Sequence, residues 1–350
     1  MNSARVPRVG FCIPPRPVLG EPDFGSQPPA RWGCLHRELH QPVVEALRQI
    51  PDIEWVEVDF RSAWIESGRV RTHDIWLDEL EHYVWYCEVD RRPGSYHQVL
   101  LQRLAESVQV HPDPWRWDRA VDKLTAHECL RAAGLPVPEC IYVSPDNVEA
   151  ALRALEAWGA VLLKPRRGAW GEGTMLIDHP ATLRDLLGYA RSLGVDGDLQ
   201  GYFLEQYLEN DPERWTSVTV LADRPVIGYR KRADKRVALP GGRTKVYDAN
   251  QQGGSVDYVA LDEEHRRLAI QASKALGCPF IGFDMIWTPK GPVIVDENTS
   301  PGNYAALYRM AGLEVAECFA AAIMQLIRPA PGASVGSSPH DPAVRAPFCD

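Results

Sequence analysis

The chain has 350 residues, of which 45% are hydrophobic and 24% are charged, so it is long enough for two or three globular domains. The formal net charge of −9 argues against a broad nucleic-acid-binding surface but leaves room for a local cationic phosphate pocket. The N-terminus has no continuous apolar segment, and no run of about 18 apolar residues occurs, so we expect neither a signal peptide nor a membrane-spanning helix.

The predicted elements begin with a β-α-β unit, in which residues 8–14 and 53–60 are strands and 38–50 is a helix. This spacing predicts a parallel sheet. Further helices are predicted at 118–133, 145–158, 181–193, 262–277 and 312–327. Further strands are predicted at 160–164, 174–177, 202–208, 217–222, 225–230, 280–287 and 291–298. The residues after Arg328 are rich in Pro, Gly, Ala and Ser and predict a disordered tail.

Several short motifs do not carry a function. A GxSxG match at 332–336 lies in the predicted tail rather than between a strand and a helix. His36 and His40 have the spacing of a zinc pair on a helix, but no third ligand is evident. No P-loop sequence occurs, and no GxGxxG follows a strand. The eight cysteines include no CxxC pair, which favours reduced thiols in the cytoplasm.

Two lysines and a glycine-rich segment indicate an anion site. Lys164 closes an apolar strand, where a charge is costly unless an anion or a snorkelling geometry accommodates it. Lys123, within a predicted helix, is by itself typical of a surface lysine. The segment 166–174 follows Lys164 and is either a plain hairpin turn or a flap that covers phosphate, because its glycines let backbone N–H groups converge on an anion. The flap glycines are Gly168, Gly171 and Gly173.

The next strand carries an acid and an amide within an apolar run. If its backbone groups are free at a sheet edge, they can bind a nucleotide base, while Glu209 or Glu213 can bind ribose hydroxyls. The predicted nucleotide contacts in this segment are Glu205, Gln206, Tyr207, Leu208 and Glu213.

The strands at 280–287 and 291–298 indicate a metal site. Alternation places Asp296 and Asn298 on one face with Ile294, and Glu297 on the other face. Asp284 lies on the strand paired with this one through a turn at 289–291. Carboxylate and amide oxygens suit Mg²⁺, which completes its shell with phosphate and water. The alternative is a buried acid pair held by a lysine or arginine.

This ordered set resembles the ATP-grasp superfamily over residues 112–328. Gly282-Phe-Asp284-Met-Ile and Asp296-Glu-Asn298-Thr-Ser-Pro-Gly are similar to motifs of RimK-type and glutathione-synthetase-like carboxylate–amine ligases. The resemblance implies an α/β (α+β) ATP-grasp fold with an N-terminal parallel α/β domain at 1–111. A central lid domain at 112–200 and a C-terminal nucleotide and metal domain at 201–328 would clamp ATP between them, before a tail at 329–350.

The resemblance also implies roles for the residues. Lys123 and Lys164 would bind ATP phosphates, and Asp284, Asp296 and Asn298 would bind Mg²⁺, with Mn²⁺ as a substitute. A basic residue would meet the acylphosphate, and the candidates are Arg230, Lys231 and Arg232, unless this segment is a solvated basic loop. The sequence departs from the family where a glutamate is usual at Asp296 and where the segment after the hinge reads Trp215-Thr-Ser217.

The implied activity is ATP-dependent amide or peptide bond formation through an acylphosphate, with release of ADP and phosphate. The alternatives are a phosphotransferase on the same fold and a nucleotide-binding module without catalysis. Expected partners are a small carboxylate and an amine, with no nucleic acid or membrane, and a homo-oligomer stays open.

Overall fold

The computed structural model describes residues 6–12, 37–85, 94–143, 147–168, 171, 173–192, 201–232, 236–238, 244–246 and 255–328. The predicted tail, the GxSxG match, His36 and the start of the helix predicted from residue 145 lie outside the described residues. Within these ranges no helix combines the length and the hydropathy needed to cross a membrane.

The N-terminal unit is a parallel sheet with the strand order β2-β1-β5-β6. The predicted β-α-β unit is therefore confirmed. A hairpin of β3 and β4, which the sequence did not indicate, packs against α2. The elements are β1 (Arg8–Cys12), α1 (Arg37–Arg48), β2 (Glu54–Val58), β3 (Trp64–Glu66), β4 (Arg69–Arg71), β5 (His82–Val84), α2 (Tyr96–Leu104) and β6 (Gln109–His111).

The single helix predicted at 118–133 is wrong, because two helices occupy this part of the chain. They are α3 (Pro114–Val121) and α4 (Lys123–Ala132). Asp122 between them has an extended backbone, and its side chain accepts a hydrogen bond from the Thr125 amide. An aspartate in this conformation is an N-cap, so the chain restarts a helix rather than continuing one. Lys123 is consequently the first residue of α4.

The central unit is an antiparallel sheet with the order β7-β10-β8-β9, covered by two helices. The predicted hairpin of β8 and β9 is confirmed. The elements are β7 (Cys140–Ile141), α5 (Val148–Trp158), β8 (Val161–Pro165), β9 (Met175–Ile177), α6 (Pro180–Ser192) and β10 (Tyr202–Gln206). Their apolar side chains form a core of their own, which includes Leu155, Leu163 and Leu204.

The C-terminal unit is a second antiparallel sheet, with the order β15-β12-β11-β16-β17. The helix predicted at 262–277 is confirmed as α7, with Asp262 as its N-cap and Gly277 in the left-handed region at its end. The elements are β11 (Thr216–Leu221), β12 (Arg224–Arg232), β13 (Arg236–Ala238), β14 (Thr244–Val246), β15 (Ser255–Val259), α7 (Glu263–Leu276), β16 (Phe280–Thr288), β17 (Gly291–Asn298), α8 (Ala305–Met310) and α9 (Val315–Ile327).

The packing bears on the domain boundaries expected at residues 111 and 200. Strand β10 follows residue 200 but pairs with β7 and β8 of the central sheet. Buried residues of α3 and α4, such as Trp117 and Leu130, belong to the core that joins the N-terminal and C-terminal sheets. We therefore propose that the central unit runs from β7 to β10 and that α3 and α4 belong with the C-terminal sheet.

Candidate active site

A row of side chains crosses one face of the C-terminal sheet. The strand register places Tyr229, Ser217, Asp284 and Asp296 side by side on β12, β11, β16 and β17. Residues that pair directly across antiparallel strands share a face. The Ser217 hydroxyl donates a hydrogen bond to Asp284 Oδ1 at 2.5 Å, which orients that carboxylate. The paired strands thus bring the two acids together, as the sequence predicts.

An extra residue in β17 changes which side chains share this face. Asp284 lies opposite Asp296, but the next residue, Met285, lies opposite Ile294, so Val295 forms a β-bulge. The prediction that Ile294 shares the face of Asp296 is therefore wrong. Asn298 keeps the face of Asp296 because the bulge precedes both residues.

Glu297 lies opposite Phe283 on the other face of the sheet, in accord with strand alternation. The residue is 5% exposed, and neither carboxyl oxygen has a hydrogen-bond partner in the structure. Burial raises the pKa of this carboxyl well above its ordinary value, although the Lys123 ammonium opposes the change. Glu297 is thus a buried acid directly beside the predicted metal ligands.

Lys123 connects α4 to the acids of β17. Its Nζ donates a hydrogen bond to Asp296 Oδ1 and lies 4.0 Å from Glu297 Oε1. The residue is buried, so the alternative of a surface lysine does not apply. Burial would lower the pKa of the Lys123 ammonium, but the charges of Asp296 and Glu297 outweigh burial and raise it.

Lys164 bridges the central and C-terminal sheets. Its Nζ donates to Glu205 Oε2 at 3.1 Å, within the central sheet, and to the Val295 carbonyl of β17 at 2.9 Å. Both side chains are buried, which excludes a snorkelling edge lysine. Burial raises the pKa of the Glu205 carboxyl, and the Lys164 charge offsets only part of that effect.

His127 belongs to the same cluster, although it is not among the predicted site residues. It is fully buried on α4, one turn after Lys123, with Nδ1 3.4 Å from Glu205 Oε2 and Nε2 3.9 Å from Glu297 Oε2. Burial, with help from the Lys164 charge, lowers its pKa to about 3, so the ring is neutral at pH 7. Its spacing of four residues from Lys123 was the available signal, because residues i and i+4 share a helix face.

The flap glycines adopt backbone conformations that other residues avoid. Gly171 and Gly173 have φ values of 69° and 73°. A Cβ on Gly173 would also lie 2.8 Å from the Tyr202 hydroxyl. Both positions therefore require glycine in this conformation. Trp170 and Glu172 lie outside the described residues.

The two arginines at the start of the flap form ion pairs with acids at the junction of α3 and α4. Arg166 Nη2 lies 2.6 Å from Asp122 Oδ2, and Arg167 Nη2 lies 2.9 Å from Asp118 Oδ1. In this arrangement the two arginines have their positive charges balanced by carboxylates, so they do not add net charge to an anion site. They anchor the flap to the junction of α3 and α4 instead.

The predicted hinge contacts are only partly accessible to a nucleotide. Strand β10 lies inside its sheet, and the Gln206 and Tyr207 amides donate to the carbonyls of Glu139 and Ala160. The expected free edge is therefore wrong for these two N–H groups. The Leu208 carbonyl accepts a bond from the Asn210 side chain. Glu213, one turn further on, is exposed, and its role with ribose stays a prediction.

The strand register places the three basic residues that are candidates for contact with the acylphosphate at different positions. Arg230 follows Tyr229 on β12, so alternation places it on the face opposite Asp284 and Asp296, and its Nε is buried without a hydrogen-bond partner. The structure does not bring Arg230 close to Asp284 and Asp296, the predicted metal ligands. Lys231 and Arg232 lie opposite Val256 and Ser255 of β15, and their side chains are outside the described residues.

The side-chain oxygens at the predicted metal site fit a divalent cation that also binds phosphate oxygens. No cluster of three or more His, Cys, Asp or Glu side chains suited to a metal occurs in the described part of the chain. Asp284, Asp296 and Asn298 instead offer two carboxylates and one amide on a single sheet face. Magnesium uses one or two protein carboxylates where substrate phosphates and water supply the remaining ligands.

A family model described as a RimK-like ATP-grasp domain matches residues 120–323. A probable alpha-L-glutamate ligase of Xanthomonas oryzae pv. oryzae is 27% identical over 292 residues, which covers 75% of this chain and 92% of the relative. The probable alpha-L-glutamate ligase of Haemophilus influenzae is 27% identical over 198 residues, covering 56% of this chain and 60% of the relative.

Solved structures show the same fold. The ATP-grasp ligase PsnB complexed with its minimal precursor has a TM-score of 0.58 at 17% identity, over 91% of this chain and 99% of that one. D-cycloserine synthetase DcsG has a TM-score of 0.57 at 16% identity, over 91% and 99%. D-alanine–D-alanine ligase of Bacillus anthracis, complexed with ATP, has a TM-score of 0.57 at 13% identity, over 93% and 98%.

Proposed function

Because the chain belongs to the RimK-like ATP-grasp family, and is therefore an ATP-dependent ligase, we propose that it joins an amino acid or small peptide carboxylate to an amine. The observation that carries this proposal is the convergence of Lys123, Lys164, Asp284 and Asp296 between the central and C-terminal sheets. Lysines and carboxylates that meet between two sheets suit a nucleoside triphosphate and its divalent metal ion.

The reaction proceeds in two displacements. A substrate carboxylate oxygen attacks the γ-phosphorus of ATP, the bond to the β-phosphate oxygen breaks, and ADP leaves. The amine nitrogen then attacks the acyl carbon of the acylphosphate, phosphate leaves, and the amine loses a proton. Lys123 and Lys164 bind the phosphates and offset the charge that develops on them. The flap at residues 166–174 excludes water, which would otherwise hydrolyse the acylphosphate.

The metal ligands in this proposal are Asp284, Asp296 and Asn298. A bound Mg²⁺, or Mn²⁺ in its place, supplies charge neutralisation at the phosphate oxygens. Ser217 holds the Asp284 carboxylate, and Lys123 holds that of Asp296, so both acids are oriented before a nucleotide arrives.

The relatives suggest which substrates to test first. Two of them are described as probable alpha-L-glutamate ligases, and one structural neighbour, the ATP-grasp ligase PsnB, is complexed with a minimal precursor. We therefore place glutamate and glutamate-ending peptides first in the panel of substrates. We also propose that the protein acts in the cytoplasm. Arg230, Lys231 and Arg232 stay candidates for contact with the acylphosphate, and the register disfavours Arg230.

The test is ADP release measured over a matrix of carboxylates and amines, with mass spectrometry of the products. Replacement of Asp284 or Asp296 with Asn should lower turnover by at least about 100-fold, since each removes a metal carboxylate. Asp223→Asn is the matched control, because Asp223 lies at the far hairpin of the same sheet and bonds Ser273. Full turnover by either site variant would overturn the metal assignment, and a phosphorylated product formed without any amine would favour a phosphotransferase.

A further inference from the structure

The buried ionisable groups around the two lysines form one continuous chain of contacts. Lys164 contacts Glu205, Glu205 contacts His127, His127 contacts Glu297, and Glu297 contacts Lys123. The five groups come from α4, β8, β10 and β17, so the chain crosses from the central unit to the C-terminal sheet. His127 is its middle member.

His127 and Glu297 are the members whose polar atoms are incompletely satisfied. Both nitrogens of His127 and both oxygens of Glu297 are buried without a hydrogen bond of normal geometry. Leaving such groups without partners is costly, so their retention at this position calls for a reason other than packing. The two carboxylates beside His127 each contact a lysine of the proposed nucleotide site. Glu205 lies 3.1 Å from the Lys164 ammonium, and Glu297 lies 4.0 Å from that of Lys123.

The imidazole ring suits a position between two carboxylates. Its two nitrogens lie on different edges of a rigid ring, so one side chain lies beside Glu205 and Glu297 at the same time. The neutral ring carries a single N–H, so it can donate to one of these two carboxyl groups. A neutral ring also adds no charge to a cluster that already contains Lys123 and Lys164. An apolar residue of similar size would fill the space but would leave both carboxylates without this contact.

We propose that His127 is a positioning residue that sets Lys164, through Glu205, and Lys123, through Glu297, at a common spacing for the nucleotide phosphates. This inference rests on the proposed function for the identity of the ligand but not for the geometry of the lysines. The proposed role requires no contact between His127 and ATP or substrate.

The first test reads the lysines directly and needs no nucleotide. Folded protein is treated with an amine-acylating reagent, and modification of Lys123 and Lys164 is followed by mass spectrometry. His127→Leu should accelerate modification of both lysines by about tenfold or more, the ratio expected for loss of a buried polar partner. His127→Gln, which keeps a donor and an acceptor, should restore most of the protection. Leu130→Ala is the packing control, since Leu130 is also fully buried on α4 but is absent from the chain of contacts.

The second test measures ADP affinity by calorimetry. His127→Leu should weaken binding by about 10- to 100-fold, the range found when groups behind a ligand-binding residue are removed. His127→Gln and Leu130→Ala should bind within about threefold of wild type, a difference within ordinary variation between contexts. Unchanged labelling of the lysines in folded His127→Leu, or labelling that rises equally in Leu130→Ala, would overturn the proposal. Failure of the wild-type protein to bind ADP would instead count against the proposed function. The labelling experiment needs no nucleotide, so it would still decide whether His127 positions the two lysines.

Discussion

His111 is a half-buried histidine whose environment disfavours its charged form. It ends β6, and its Nε2 lies 3.1 Å from Nδ1 of His82 on β5, with the two rings stacked. Burial and the neighbouring His82 lower the pKa of His111 to about 4. In the unfolded chain the same group titrates near its ordinary value of about 6.5. The unfolded state therefore binds more protons than the folded state between these two pH values.

This difference predicts a loss of stability on acidification. Because the depressed pKa of His111 belongs to the folded state, its contribution is present above about pH 6.5 and is lost as the pH falls toward 4. Between pH 7 and pH 5 the expected loss from this group is about 2 kcal/mol. His111→Gln should remove that part of the pH dependence, which urea unfolding at the two pH values measures. His73→Gln, at an exposed histidine, is the control, and equal pH dependence of His111→Gln and wild type would contradict the assignment.

The cluster around Lys123 shows which single residues the sequence could identify. Lys164 and the acids of β16 and β17 were selected because charge interrupts apolar runs there, whereas Lys123 was selected through the family resemblance. The structure brings these residues together. His127 was missed because its spacing from Lys123 indicates only a shared helix face and does not identify its partners. Those partners, Glu205 and Glu297, lie on strands that approach α4 only in the folded chain.

At the scale of elements, the corner between α3 and α4 combines two tasks in Asp122. Its Oδ1 accepts from the Thr125 amide as a helix cap, and its carboxylate also pairs with Arg166 at the start of the flap. The Lys123 amide donates to the Arg166 carbonyl at 2.8 Å, which ties the flap to the first turn of α4. Flap position and Lys123 position are therefore mechanically linked.

Two substitutions at Asp122 separate these tasks. Asp122→Ala removes both cap and ion pair and should lower the free energy of unfolding by about 1 to 2 kcal/mol. Asp122→Ser retains a capping oxygen, so its stability should stay within about 0.5 kcal/mol of wild type. Both should raise the KM for ATP by a similar factor, because both release Arg166. The measurements are urea unfolding and initial rates, and a wild-type KM in Asp122→Ser would show that the ion pair does not position the flap.

The elements also show where sequence patterns stop being informative. Strands β16 and β17 were predicted close to their observed bounds because hydrophobic runs and a turn mark them. The bulge at Val295 was not, since no residue type specifies one extra residue in a strand. The break at Asp122 carried a readable signal, an N-cap residue before a helical pattern, but the apolar periodicity on both sides favoured one continuous helix.

At the scale of the whole molecule, the two cores divide the chain differently from the linear sequence. The central sheet has its own core with α5 and α6, whereas the N-terminal sheet, α3, α4 and the C-terminal sheet share another. The resemblance to a known family supplied the three-part plan. It did not supply the assignment of α4, because packing partners distant in the chain decide which core a helix joins.

This division predicts how nucleotide binding distributes stability. Lys164 of the central unit contacts Val295 of β17. A nucleotide held by Lys123 and Lys164 would add contacts to both the central and the C-terminal sheet. Saturation with ADP and Mg²⁺ at about 100 times the dissociation constant should raise the free energy of unfolding by about 2.7 kcal/mol. Hydrogen exchange should slow in β8 and β10 and also in β16 and β17, while β1 and β2 change little. Lys164→Met should lose the protection in both sheets, because that lysine spans them. Protection confined to one sheet would mean that the nucleotide binds without joining the two units.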